Sequence, residues 1–132
     1  MRAMTGRAYA WPGEGGQLLE STELAHTIVD LLSDRKGVDT LLLDVRTVSL
    51  LADYFIITTG EVDRHIQALA EDTSRELKKA QVFPMHVEGD AASGWVLVDF
   101  GEVVVHIFSP RTRDFYRLEE FWKDARVVVR MQ

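Results

Sequence analysis

The sequence predicts an α/β domain built on a single mixed β-sheet flanked by helices. Two amphipathic stripes at helical period alternate with short runs of β-branched, aliphatic and aromatic residues. A strand to helix to strand unit across residues 53–88 provides the crossover that parallel strands require. The 132 residues, 46% of them hydrophobic, can fill one core and leave no room for a second.

The first 17 residues, with Gly6, Pro12, Gly13, Gly15 and Gly16, have no apolar period and read as a flexible extension. From Leu18 onward, Leu24, Ile28, Leu31 and Leu32 recur at helical spacing, with Ser21 and Thr22 available as N-caps and Gly37 placed to end the helix. Residues 40–45 and 53–59 read as strands buried on both faces, and the short link between them favours an antiparallel pair. Val62, Ile66, Leu69, Ala70, Thr73 and Leu77 form the stripe of a second helix that ends before Pro84. A short strand at 83–88 and a loop at 89–94 precede a hairpin, its strands at 95–99 and 103–108 flanking a tight turn at Phe100 and Gly101. After Ser109-Pro110, Phe115, Leu118, Phe121 and Trp122 sit at helical spacing. The valine-rich tail at 126–132 is readable either as an edge strand or as a loose end.

Charge and composition narrow the function. Fifteen Lys and Arg against 21 Asp and Glu give a net charge of -6, which disfavours RNA or DNA as the primary ligand and suits a basic protein partner. The lack of cysteine removes disulfides, thiolate metal sites and cysteine nucleophiles. No window is apolar for the length of a membrane span and no secretory leader is recognisable, so a soluble cytoplasmic protein is expected.

No catalytic set assembles. Thr58-Thr59-Gly60-Glu61 joins a strand to a helix N-terminus, where amides can cradle phosphate, but Glu61 opposes an anion and helix capping is the better reading. Asp44, Asp53, Asp99 and Glu102 do not alternate along one strand as paired-metal chemistry requires. His86 and Glu88 share one face of a strand and His106 lies on another, a thin basis for a metal site. The serines lack a nucleophile elbow. Aromatic residues, by contrast, crowd the stretch from Trp95 to Trp122. Phe108, Phe121 and Trp122 fit the core, whereas Trp95, Phe100 at its turn and Tyr116 are candidate interface anchors, with Arg111 and Arg113 placed to meet carboxylates.

Four blocks carry a resemblance: Leu43-Asp-Val45 with residues 52–60; Arg64-His65; Glu88-Gly89; and Trp95 to Trp122, ending in Tyr116-Arg-Leu-Glu-Glu-Phe-Trp122. The chain, over residues 18–125, resembles the ribosomal silencing factors, the Iojap-like family. The resemblance implies a nucleotidyltransferase-like fold without the catalytic carboxylates, and no enzyme activity, metal or cofactor. It implies binding to the large ribosomal subunit through ribosomal protein fourteen of the intersubunit face, which blocks small-subunit joining and represses translation. Carried over by position, the contact residues are Trp95, Asp99, Phe100, Gly101 and Tyr116, with Glu102 and Arg113 as weaker candidates. Phe100 replaces a residue that is usually aliphatic, and Thr59-Gly60-Glu61 replaces a Ser/Thr-rich turn. Three alternatives stay open beside this: a large-subunit assembly factor, a metal-dependent nucleotidyltransferase using Asp44, Asp53 or Asp99, and pairing of exposed strand edges into a homodimer.

Overall fold

A computed structural model describes residues 9–10 and 18–132, with 9–10, 18–19 and 121 described in backbone only. Of the expected N-terminal extension, residues 1–8 and 11–17 lie outside the described residues. Tyr9–Ala10 (β1) pairs antiparallel with Leu18–Leu19 (β2). Then follow α1 (Ser21–Asp34), β3 (Val38–Asp44), β4 (Tyr54–Thr59), α2 (Asp63–Lys79), β5 (His86–Asp90), a 3-10 turn at Ala91–Ser93, β6 (Trp95–Asp99), β7 (Val103–Phe108), α3 (Pro110–Tyr116), α4 (Leu118–Phe121) and β8 (Arg126–Met131).

The main sheet runs in the order β5-β6-β7-β4-β3-β8. Its strands pair antiparallel except β4 with β7, so the sheet is mixed as predicted. The crossover departs from the simple expectation. α2 carries the chain from β4 to the far edge, and the β6–β7 hairpin folds back to fill the gap, so β7 rather than β5 becomes the parallel neighbour of β4. The valine tail is the other edge strand. Its pairing with β3 is anchored by Arg130, whose guanidinium donates twice to the Asp39 carboxylate at 3.0 and 2.9 Å.

Both helices form where the apolar period demanded. Leu24, Ala25, Ile28, Val29 and Leu32 of α1, and Ile66, Leu69 and Leu77 of α2, are fully buried against one face of the sheet, on Leu42, Ile56, Val98, Val105 and Ile107. Their caps differ from expectation. Glu20, not Ser21 or Thr22, stands at the N-cap of α1. The two hydroxyls reach across the fold instead, Ser21 to Asp53 and Thr22 to the Tyr54 hydroxyl, each at 2.7 Å. At α2 the N-cap is Val62 with no side-chain cap. His65 does that work: its Nδ1 accepts from the Glu61 amide at 3.1 Å while Nε2 donates to the Arg35 carbonyl at 3.0 Å, tying the start of α2 to the end of α1.

The opposite face carries a smaller core of Leu41, Leu43, Ile57 and Phe108 under Leu118 and Trp122. The short α3 and α4 cover only part of it, so the face of β5 and β6 beside them stays open, with every residue of β5 exposed.

Candidate docking face

Along β6, side chains alternate between the two faces. Val96 and Val98 point to the helices, while Trp95, Leu97 and Asp99 stand half-buried on the open side. Trp95 anchors an aromatic cluster there. Its ring centroid lies 5.0 Å from that of Phe108 and 4.9 Å from that of Tyr116, and its indole N–H donates to His106 Nδ1 at 3.2 Å. Tyr116, 51% exposed, and Phe115, 77% exposed, continue the cluster into solvent from α3. Two cavities adjoin it. One of about 330 Å³ lies among Glu88, Gly89, Ser93, Trp95, Leu97 and Tyr116. The other, about 320 Å³, extends toward Asp99 and Gly101. Asp99 holds the hairpin turn by accepting the Gly101 amide at 2.7 Å, and Gly101 takes φ 97, a left-handed conformation that glycine adopts without strain.

Five of the seven expected contact residues fall into two groups at the two ends of β6: Trp95 and Tyr116 touch, and Asp99, Gly101 and Glu102 border a common hollow at the hairpin end. Phe100 is not on that surface. It is 1% exposed, because the alternation of β6 continues through the turn and puts it with Val96 and Val98 under the helices. Arg113 is also internal. Its Nη1 donates to the Asp39 carbonyl at 2.7 Å and to Thr59 Oγ1 at 3.0 Å, and its Nε to Glu119 at 3.1 Å, so it clamps α3 to the ends of β3 and β4 rather than meeting a partner. Phe108 and Trp122 pack as expected, Trp122 edge-on to Phe55 at 5.0 Å; the side chain of Phe121 lies outside the described residues.

Two residues missed in the sequence belong to this region. Leu50 and Leu51 are 102% and 90% exposed, on a loop held in shape by the Ser49 hydroxyl, which accepts the amides of Leu51 and Ala52. They border the same hollow as Asp99, Gly101 and Glu102. Adjacent leucines between two strands, next to a turn-forming Ser, were the available signal.

Alternative chemistries find little support in the geometry. Asp44 accepts from the Arg46 guanidinium at 3.0 and 2.7 Å and from Arg126 at 3.3 Å; the Arg46 bonds hold its carboxyl down at about 2. Thr58 bonds Thr40 and Thr59 accepts from Arg113, so the strand end beside Gly60 is occupied by internal contacts. His86 pairs with Glu88 at 2.7 Å, and among the described residues no group of three or more His, Asp or Glu is arranged to hold a metal ion. Among them, too, no helix is long and apolar enough to cross a membrane.

Burial pushes the His106 imidazole down from 6.5 to about 4. Between those values the unfolded chain binds the proton that the folded chain refuses, so stability rises with pH there and is lost as pH falls from 6.5 toward 4. This histidine alone is expected to remove about 2 kcal/mol between pH 7 and pH 5. Urea unfolding of the parent and of His106→Phe at the two pH values checks it: the parent should lose more stability on acidification, and equal losses refute the assignment.

The family model described as "Ribosomal silencing factor during starvation" matches residues 19–132. The chain is 40% identical over 92 residues to the ribosomal silencing factor RsfS of Bacillus subtilis, covering 70% of this chain and 78% of that protein. It is 34% identical over 98 residues to the mouse mitochondrial assembly of ribosomal large subunit protein 1, covering 72% of this chain and 43% of the mouse protein. A crystal structure of a Chromobacterium violaceum protein, 37% identical, superposes with a TM-score of 0.76 over 80% of this chain and 88% of that one.

Proposed function

The chain belongs to the ribosomal silencing factor family, and from that premise we propose that it represses translation in the cytoplasm by binding the large ribosomal subunit. Its partner there is a basic protein of the intersubunit face, ribosomal protein fourteen, and the bound domain obstructs the small subunit. The observation that carries this reading is the half-exposed Trp95–Tyr116 pair on a sheet face that the helices leave open. Aromatic rings at the edge of a hollow are the usual anchors of protein interfaces. Asp99 and Glu102, in the hollow at the hairpin end of β6, match a cationic partner and oppose phosphate.

The mechanism requires no bond-making. An interface of ordinary size buries about 800 Å² on each partner, which a domain of this size offers on one face while its bulk fills the space beyond. Repression then follows occupancy. A second reading, assistance in assembling the large subunit, is favoured by the printed name of the mouse relative; precursor subunits accumulating in a deletion strain mark that role.

Sedimentation of the purified protein with isolated large subunits, small subunits and joined ribosomes tests the proposal. It should pellet with large subunits and reduce subunit joining in proportion to its occupancy; association with small subunits alone defeats the reading. Leu50→Ser with Leu51→Ser supplies a sensitive probe, because the exposure of both leucines keeps the fold out of the result. The pair should weaken large-subunit binding roughly tenfold by loss of apolar contact, with the melting temperature unchanged.

A further inference from the structure

β5 is open on three sides. It is an edge strand paired only with β6 among the described residues, and the helices cover it on neither face, so every one of its residues is exposed. Phe83, Met85 and Val87, which lead into it and lie on it, are each more than half exposed. The register with β6 puts His86 and Glu88 on the side of Asp99 and Leu97, the open face, and Val87 on the side of Val98, the helix face. Free strand edges are commonly blunted by Lys, Pro or other charges that discourage a further strand. At the opposite edge, β8 carries Arg126 and Arg130, bonded to Asp44 and Asp39 of β3. β5 reads His-Val-Glu-Gly-Asp and holds neither Lys, Arg nor Pro.

We propose that the free edge of β5 receives an added strand, an extended cationic segment of the basic partner protein. The inference rests on the docking reading above and names how the partner is gripped. The edge adjoins the docking face directly: Glu88 and Gly89 line the cavity that holds Trp95 and Tyr116, and His86 and Glu88 line the one that reaches Asp99. Main-chain bonds to β5 give such a segment its direction, and its alternate side chains give specificity. Those on the open side meet Glu88 and are Lys or Arg, whereas those on the other side meet Val87 and are apolar. Glu88 has His86, at 2.7 Å, as its only hydrogen-bond partner among the described residues, and its side chain is 65% exposed, within reach of a cation. Gly89, at φ 82, bends the far end of the strand, so the ladder is short and the side chains carry most of the affinity. A second copy of this chain fits the edge less well. Antiparallel pairing about the centre of β5 sets Glu88 against its own equivalent, and like charges directly opposite destabilise a sheet. The β8 edge offers a cationic segment arginines in place of a carboxylate, which selects β5 from the two edges of the sheet.

Electron cryomicroscopy of the full chain bound to isolated large subunits reads the inference directly. A strand of a ribosomal protein should run beside β5 at a spacing of about 4.8 Å. A bound domain with nothing paired to β5, or with RNA or a second copy of this chain in that place, overturns the added strand and leaves the docking reading standing. Glu88→Lys puts a cation on the edge where the partner's own would lie. It should weaken binding to large subunits at least roughly tenfold with the melting temperature unchanged, because the side chain is exposed. Parent-like binding by the variant overturns the cationic segment and the proposal with it. If the parent itself fails to sediment with large subunits, the docking reading fails first.

Discussion

Phe100→Ala is expected to cost about 3–5 kcal/mol of stability and to lower the melting temperature by at least about 10 °C. The ring is 1% exposed and belongs to the core formed where α1 and α2 cover the sheet, beside Val98 and Val103. Truncation removes its packing and leaves a void that a turn pinned by the Phe100–Val103 backbone hydrogen bond and by the Asp99 carboxylate on the Gly101 amide is poorly able to close. Its effect on ribosome binding should follow the unfolded fraction and vanish at low temperature, where the domain remains folded. A variant that melts like the parent yet fails to bind large subunits would place the ring on the surface, against the burial described here.

Trp95→Ala should have the opposite profile. The indole is half-buried, rests on Phe108 and Tyr116, and forms the centre of the open face. Removing it is expected to cost about 3 kcal/mol of large-subunit affinity, on the order of a hundredfold. Some stability goes with it, because the His106 Nδ1 loses its donor and Tyr116 its neighbour. Far-ultraviolet circular dichroism and a thermal melt establish that the variant is folded at the assay temperature, and a titration with large subunits then reads the affinity. Full binding by a folded Trp95→Ala protein removes the anchor from which the proposed function is argued.

The contrast between these neighbours on one hairpin shows how much of the site could be read in advance. Trp95, Asp99 and Tyr116 were identified as surface anchors from residue type and resemblance, and all three lie on the open side of the fold. Phe100 sits at a turn, a position that suggests exposure, yet its ring is buried. The Trp-Val-Leu-Val-Asp-Phe alternation already put it in phase with Val96 and Val98, and the period persisted into the turn. Arg113 departs from expectation for a different reason. A guanidinium is buried only where several acceptors converge, and those acceptors come from Asp39, Thr59 and Glu119, far apart in the chain. No local pattern announces such a convergence.

By itself the sequence determined the elements and their two-faced character, because apolar period is a property of neighbouring residues: the stripes of α1 and α2, the doubly buried β3 and β4 and the β6–β7 hairpin all follow from it. It also carried the family resemblance, concentrated in the stretch from Trp95 to Trp122. Only the tertiary structure decided which face of the sheet remains open, since that depends on α3 and α4 being too short to cover β5 and β6. The same packing left Leu50 and Leu51 in solvent and enclosed His106 with an unmatched donor. Burial sums contributions from segments distant in sequence, so whether an apolar or polar group is a surface anchor or a core residue is settled only when those segments meet.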